Sequence, residues 1–106
     1  VVDIGCGNGA LLRRLRERRA VRAVGVDLRP PRGVEAEEGI RYVACDATRD
    51  PLPAADAAVS LCLIHHLSDE GLVALIRNSR RSVRRLILVD LVRSRVPLFL
   101  FRVFVR

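Results

Sequence analysis

The chain has 106 residues, of which half are hydrophobic and 29% are charged. Nineteen basic residues outnumber twelve acidic ones, which gives a formal net charge of +7. This length fits one small domain and excludes two independent ones, and the apolar fraction excludes a wholly disordered chain. The sequence contains no apolar stretch approaching the roughly 20 residues of a membrane span.

The basic excess is a poor guide to the partners of this chain. All nineteen basic residues are arginine, lysine and methionine are absent, and alanine, valine and leucine are abundant. A GC-rich coding sequence produces this bias without selection for binding. We therefore expect no nucleic-acid partner from the charge alone.

The cysteines indicate a reducing compartment. Three cysteines, Cys6, Cys45 and Cys62, cannot all pair with one another, and nothing else in the sequence is typical of a secreted disulfide framework. Their spacing matches no metal site, so we expect no bound metal and a cytoplasmic location.

Apolar runs alternate with arginine-rich amphipathic stretches along the chain, and this alternation predicts strands and helices in turn. Residues 29–39 carry two prolines, two glycines and three glutamates and are expected to form a loop. The predicted strands are 1–4, 23–27, 40–44, 57–63 and 86–92. The predicted helices are 10–19, 68–82 with Ser68 as its N-cap, and 94–106 with Pro97 in its first turn.

This order of elements predicts an α/β fold, an open and mostly parallel sheet flanked by helices. The near-continuous apolar run at 86–92 is typical of a parallel strand covered on both faces. In such sheets ligands bind beyond the carboxyl ends of the strands. We therefore expect the functional residues at those ends.

A glycine-rich turn, Gly5-Cys6-Gly7-Asn8-Gly9, follows the first predicted strand. Closely spaced glycines let the backbone approach a ligand, and the next helix offers free N–H groups. The spacing is G-x-G-x-G, not the dinucleotide-binding G-x-G-x-x-G, and no Gly-Lys-Ser/Thr of a P-loop follows. Asp3 would repel a pyrophosphate and attract an ammonium or sulfonium group, so a cationic ligand is favoured, with a tight turn and no ligand as the alternative.

Four segments in order resemble the motifs of class I S-adenosylmethionine-dependent methyltransferases. Residues 1–9 resemble the first motif, residues 24–28 the second-strand motif and residues 43–47 the third-strand motif. Residues 52–67 resemble the fourth-strand segment of the small-molecule branch related to quinone-biosynthesis methyltransferases. The resemblance implies a Rossmann-like fold, S-adenosylmethionine as the cofactor and methyl transfer as the activity.

The resemblance also implies a role for each matching residue. Asp27 would accept hydrogen bonds from both ribose hydroxyls, and Leu28 would give the adenine an apolar face. Asp46 would accept from the adenine amine, and the Ala47 N–H would donate to a ring nitrogen. The remaining cofactor contacts would be made by Asp3, Gly5, Cys6, Gly7, Asn8, Gly9, Ser60 and Leu61.

Two adjacent histidines, His65 and His66, are the candidates for a catalytic base. Methyl transfer to an oxygen or carbon acid often needs a base, and histidine changes its charge near neutral pH. A structural or substrate-lining role is the alternative for both.

The family's sheet has seven strands, and its last two strands would be absent from this chain. We therefore expect residues 1–106 to form the cofactor-binding part of an incomplete methyltransferase domain. The expected acceptor is a small, apolar organic molecule. The apolar run 98–101 could be core, line the acceptor pocket or contact a membrane surface, and the oligomeric state is open.

Three alternatives stay open at this point. One is an RNA or protein methyltransferase that uses an arginine-rich surface formed by Arg80, Arg81, Arg84 and Arg85. The second is a fragment or pseudo-enzyme of the same fold without catalysis. The third is a nicotinamide-dependent oxidoreductase, suggested by Gly5, Gly7 and Asp27.

Overall fold

The computed structural model of the chain describes residues 1–31 and 39–90. Within them, strands and helices alternate as the apolar pattern predicts. The elements are β1 (Val2–Ile4), α1 (Ala10–Arg18), β2 (Ala23–Asp27), β3 (Ile40–Ala44), β4 (Ala55–Leu61), a 3₁₀ turn (Ile64–His66), α2 (Asp69–Ser79) and β5 (Val83–Val89).

The five described strands form one sheet in the order β3-β2-β1-β4-β5, and every pair of neighbours is parallel. The chain fills one half of the sheet outward from β1 to β3 and then crosses to β4 and β5. The strand order thus reverses between β1 and β4, the position at which open α/β sheets bind ligands. The α/β class predicted from the sequence is confirmed.

The core lies on both faces of the sheet, since parallel strands need cover on each side. On one face, the fully buried Leu75 of α2 belongs to a cluster with Val2, Ile4 and Ala58 of β1 and β4. On the other face, Leu12 of α1 is fully buried in a cluster with strand residues of β2 and β3. The two helices therefore fix the sheet from opposite sides.

The bounds of β4 and of α2 differ from the sequence prediction for local reasons. β4 begins two residues early and ends at Leu61, because Cys62 adopts a left-handed backbone (φ 57°) while its N–H donates to Val89 O at 2.8 Å. α2 ends at Ser79 and not at residue 82, because the N–H groups of Arg81 and Ser82 turn back to Asn78 O and Ser79 O. The chain therefore enters β5 sooner than the apolar pattern predicts.

β5 starts at Val83 and so includes Arg84 and Arg85, which the prediction left outside. Arginine fits there because β5 is the edge strand of the described sheet and both side chains are exposed. The expectation of cover on both faces is not met in the described residues, where Ile87 and Val89 are 52% and 47% exposed. The predicted helix 94–106 and most of the loop 29–39 lie outside the described residues.

Candidate functional site

The glycine-rich turn after β1 is fixed to β2 by its backbone. The N–H groups of Gly5 and Cys6 both donate to Val26 O, at 2.8 and 3.1 Å, and Gly9 N donates to Cys6 O at 2.9 Å. Gly5, Gly7 and Gly9 have φ values of 75°, 53° and 80°. Only glycine adopts this left-handed conformation without strain, so the three glycines are explained by the path of the backbone.

Asn8 accepts hydrogen bonds from residues at the start of α1. Its side-chain Oδ1 accepts from Ala10 N at 3.1 Å, and its carbonyl accepts from Arg13 at 2.8 Å. The first turn of α1 contains no acidic residue. Asn8 thus satisfies one of the free N–H groups of the helix, which is a structural use of a residue expected to contact a cofactor.

Tyr42 of β3 packs beneath the turn, a feature that the sequence analysis missed. A Cβ placed on Gly9 would overlap the phenol of Tyr42, and one placed on Gly25 would lie 2.8 Å from both Cys6 Sγ and Tyr42 Cδ1. Gly9 and Gly25 therefore leave the space that Tyr42 and Cys6 fill. Tyr42 is the single tyrosine of the chain, and its place in β3 was the only signal for this role.

Asp27, at the carboxyl end of β2, links the turn to the second strand. Its Oδ2 accepts from Gly7 N and its Oδ1 from Arg29 N, both at 3.0 Å. Each carboxylate oxygen has two lone pairs, so both oxygens retain capacity for a ligand hydroxyl. Leu28, the next residue, is 71% exposed and lines the same cavity as Asp27.

Asp46, after β3, organises a tight loop of residues 45–50. Its Oδ1 accepts from Thr48 N at 3.0 Å and from Thr48 Oγ1 at 2.6 Å, while its Oδ2 pairs with Arg49 Nε at 3.1 Å. The hydrogen bonds from Thr48 lower the pKa of Asp46, so its carboxylate is ionised at neutral pH. Since the Arg49 side chain is 80% exposed, its pairing is weak and Oδ2 can exchange it for a ligand donor.

A cavity of about 110 Å³ lies between these two strand ends. It brings together the four residues expected to bind the ribose and adenine. Apolar side chains from β1, β2, α2 and the segment after β4 form the rest of its wall. Its lining residues are Ile4, Gly5, Val26, Asp27, Leu28, Cys45, Asp46, Ala47, Thr48, Leu63, Leu67 and Leu75. A larger and more open groove on the outer face of α2 contains none of the expected cofactor residues.

Asp3 is a buried acid of β1, directly before two residues that line this cavity, Ile4 and Gly5. The residue is only 3% exposed, and within the described ranges no residue donates a hydrogen bond to its carboxylate. Burial, and then the negative charge of Asp27, raises the pKa of Asp3 to about 6. Burial and the same two carboxylates raise the pKa of the Cys6 thiol to about 11, which makes this cysteine unreactive at neutral pH. The environment of Asp3 and Asp27 thus favours a cation.

The raised pKa of Asp3 predicts a stability that falls with rising pH. Because the folded state holds this proton more tightly than the unfolded state, the contribution is complete below pH 3.8 and is lost as the pH approaches about 6. The loss is on the order of 2–3 kcal/mol. Asp3→Asn should abolish it, as measured by urea unfolding across this pH range. Asp56→Asn, at an exposed site, is the control, and parallel curves for wild type and Asp3→Asn would contradict the assignment.

The expected contacts near the end of β4 are only partly supported by position. Ser60 is 1% exposed and its Oγ has no hydrogen-bond partner among the described residues, whereas Leu61 is 45% exposed. Neither residue lines the 110 Å³ cavity. Both lie at the carboxyl end of β4, paired in register with β5. Their contact with a cofactor stays a prediction.

His65 is held by an acid, Asp90, to which the sequence analysis assigned no role in the site. Asp90, directly after β5, accepts from His65 N at 2.9 Å through Oδ2 and lies 2.8 Å from His65 Nδ1 through Oδ1. The Asp90 side chain is only 8% exposed and that of His65 is 31% exposed. The His66 ring lies 3.9 Å from the His65 ring, and no contact with Asp90 is found for His66 in the described part of the chain. The structure therefore distinguishes the two histidines.

Comparison with known proteins identifies the family of this chain. Residues 1–85 match the family model described as "Methyltransferase domain". The chain belongs to this family. The class I S-adenosylmethionine-dependent methyltransferase resemblance is thereby confirmed, and with it the Rossmann-like fold. Among the residues that the structure describes, no helix is long and apolar enough to cross a membrane.

A curated relative gives one comparison in sequence. The chain is 34% identical over 87 residues to the cephaeline 6'-O-methyltransferase CiOMT of Carapichea ipecacuanha. The match covers 78% of this chain and 24% of that methyltransferase. The chain therefore spans about a quarter of the length of this relative.

Three solved structures share the fold. An S-adenosylmethionine-dependent methyltransferase from Mesorhizobium loti is 29% identical, with a TM-score of 0.64 over 77% of this chain and 40% of its own. DhpI in complex with SAM and HEP is 19% identical, with a TM-score of 0.72 over 92% and 49%. The [4+2]-cyclase SpnF is 22% identical, with a TM-score of 0.62 over 77% and 34%. The last two likenesses show the fold alone.

Proposed function

We propose that this chain binds S-adenosylmethionine and belongs to an enzyme that methylates a small, apolar organic acceptor. The observation that carries the proposal is the cavity in which Asp27 and Asp46, from two strand ends, meet beside the glycine turn. The carboxylates suit the hydroxyls and the amine of an adenosine, and the apolar wall suits its base. The match of residues 1–85 to the methyltransferase family supports the same ligand.

The charge of the site also fits this cofactor. Asp3 is buried without a donor among the described residues, beside Asp27 and the turn. A cationic ligand portion there would lower the cost of ionising both acids, whereas a pyrophosphate would be repelled. Bound S-adenosylmethionine would supply a methyl group already activated on a sulfonium. The chain's own part is then to bind and orient the cofactor, exclude water and handle the acceptor's proton.

An apolar surface at the carboxyl ends of β4 and β5 supports an apolar acceptor. Leu61 and Val89 are partners in the strand register, and they are 45% and 47% exposed. They lie at the same edge of the sheet as His65 and Asp90, and β4 is the neighbour of β1. We therefore assign the acceptor to this edge, and the O-methyltransferase relative supports a hydroxyl as the methylated group.

His65 is the proposed base. Since a carboxylate can only accept, Asp90 would hold the hydrogen of His65 on Nδ1 and leave Nε2 as the basic nitrogen. An acceptor hydroxyl would give its proton to Nε2, and Asp90 would stabilise the resulting imidazolium. Asp90 is then a positioning residue, and His66 is a lining residue.

His65→Gln should slow methylation of a weakly acidic hydroxyl about 100-fold, because general base catalysis contributes 10²–10⁴. We would use two phenols as probe acceptors at mildly alkaline pH, 4-methylphenol, which keeps its proton, and 4-nitrophenol, which is largely ionised. The rate should fall for the first and change little for the second, while cofactor affinity is unchanged. Asp90→Asn should give a smaller loss of the same kind.

His66→Gln is the matched control for this experiment and should leave both rates near those of wild type. A variant of His65 that slows both phenols equally would indicate a structural role. Equal losses for His65→Gln and His66→Gln would also contradict the assignment of the base.

The arginine-rich surface supports the RNA or protein alternative less well. Arg80 and Arg81 follow α2, and Arg84 and Arg85 lie in the first half of β5. In a parallel sheet this is the edge opposite to the carboxyl ends, about 20 Å away for strands of this length. An RNA or protein substrate bound to these arginines would have to wrap around the molecule to reach the site.

The proposal is tested by calorimetric titration of the protein with S-adenosylmethionine and, separately, with reduced nicotinamide adenine dinucleotide. We expect binding of the first ligand only. Binding of the dinucleotide alone would replace the proposal with the oxidoreductase alternative. A folded protein that binds neither would support a non-catalytic member of the fold.

The cytoplasm is the proposed compartment, since Cys6, Cys45 and Cys62 are all free.

A further inference from the structure

We infer that Asn78 of α2 is a positioning residue that fixes the adenine loop, residues 45–50, and thereby sets the selectivity of the site for adenine. The inference rests on the proposed function and extends it to a residue outside the cavity. Asn78 is absent from the motifs found in the sequence, and it does not line the 110 Å³ cavity.

The contact that carries the inference is made by one amide group. Asn78 Nδ2 donates to Ala47 O at 2.8 Å and to Asp50 O at 2.7 Å. Both partners are carbonyl oxygens, which can only accept, so the amide must present its two N–H groups to the loop. A single side chain thus holds the loop at two points, three residues apart.

One of these points controls the orientation of Asp46. The peptide group between Ala47 and Thr48 is bonded at both ends, because its carbonyl accepts from Asn78 and its N–H donates to Asp46 Oδ1 at 3.0 Å. Loss of the first bond frees this peptide to rotate, and rotation moves the Thr48 N–H that aims the carboxylate. Asn78 therefore acts on Asp46 through one peptide plane.

Hydrogen bonds within the loop connect Asp50 to Asp46. Through them, the second contact of Asn78, with the Asp50 carbonyl, also affects Asp46. Asp46 N donates to Asp50 Oδ2 at 2.8 Å, and Asp50 N donates to Asp46 O at 2.8 Å. Holding the Asp50 carbonyl therefore holds both residues of this ring.

The helix that carries Asn78 is a rigid support. Leu75 and Ser79, on either side of Asn78, are both fully buried, and Leu75 also lines the cavity. Ser79 Oγ donates to Leu75 O at 2.7 Å. The amide is thus placed by a helix that is packed onto the sheet.

The test is calorimetric binding of S-adenosylhomocysteine and of S-inosylhomocysteine, which carries a carbonyl where adenine has its amine. Asn78→Asp keeps the shape but opposes a carboxylate to two carbonyls, and Asn78→Ala removes the donor without adding charge. For both variants we expect the preference for the adenine ligand to fall about 10-fold, since two hydrogen bonds that fix Asp46 are lost. Arg77→Ala, an exposed neighbour on the same helix, should leave the preference unchanged.

Each other outcome overturns a stated claim. If wild type binds the adenine ligand and both Asn78 variants keep the preference, the positioning role is wrong. If the variants weaken both ligands equally, Asn78 has only a general structural role and the selectivity claim is wrong. If wild type binds neither ligand, the proposed function fails, and the inference fails with it.

Discussion

Asp27→Asn is expected to weaken S-adenosylmethionine binding about 100-fold, which corresponds to about 2.7 kcal/mol. The carboxylate of Asp27 accepts from Gly7 N and Arg29 N at 3.0 Å, so it fixes the turn even before a ligand binds. An asparagine has one accepting oxygen, and its NH₂ would face either an N–H of the chain or a ribose hydroxyl. A hydrogen bond to a charged group contributes about 1.5–3 kcal/mol, so loss of one such bond explains the magnitude.

The measurement is calorimetric titration of wild type and variant, with urea unfolding of both to show that the fold is retained. Asp56→Asn is the matched control, because Asp56 is an exposed acid in β4. We expect the control to bind like wild type. An Asp27 variant that binds within threefold of wild type would remove Asp27 from the ribose site and leave it only its role in the turn.

The site residues that can be predicted from the sequence are those whose role depends on the local backbone or on the end of a strand. Gly5, Gly7 and Gly9 are glycine because the backbone there is left-handed. The close spacing of these glycines is visible in the sequence itself. Asp27 and Asp46 each follow a short apolar strand, and strand ends are the ligand-binding edge of a parallel sheet. Their meeting in one cavity follows from a topology that the alternation of elements predicts.

The part that sequence could not supply depends on contacts between distant segments. Asp90 meets His65 across 25 residues, and Asn78 meets Ala47 across 31. Each pair requires the register of β4 with β5, or the rotation of α2 about its axis. An apolar pattern predicts which face of a helix is buried only to within a residue or two. This accuracy is not enough to predict the contacts of a single amide side chain. Both contacts also use residue types that are common at surfaces, so nothing in the sequence marks them.

Gly9→Ala is expected to destabilise the fold by about 2–5 kcal/mol. Gly9 has φ of 80°, where an L-residue costs about 1–2 kcal/mol, and the new Cβ would overlap the phenol of Tyr42. Overpacking of this kind adds about 1–3 kcal/mol, because Tyr42 lies between the turn and Gly25 and must shift as a whole ring. Urea unfolding at fixed pH measures the sum, which is a large part of the 5–15 kcal/mol typical of a domain.

Gly7→Ala separates the two contributions, because Gly7 is also left-handed (φ 53°) but has nothing within 4 Å of an added Cβ. It should lose only the backbone contribution of about 1–2 kcal/mol. Tyr42→Leu in the Gly9→Ala background should recover part of the packing loss, since the shorter side chain vacates the position of the phenol. Equal losses at Gly7 and Gly9, with no recovery in the double variant, would mean that Tyr42 does not support the turn. The glycine would then be explained by its backbone conformation alone.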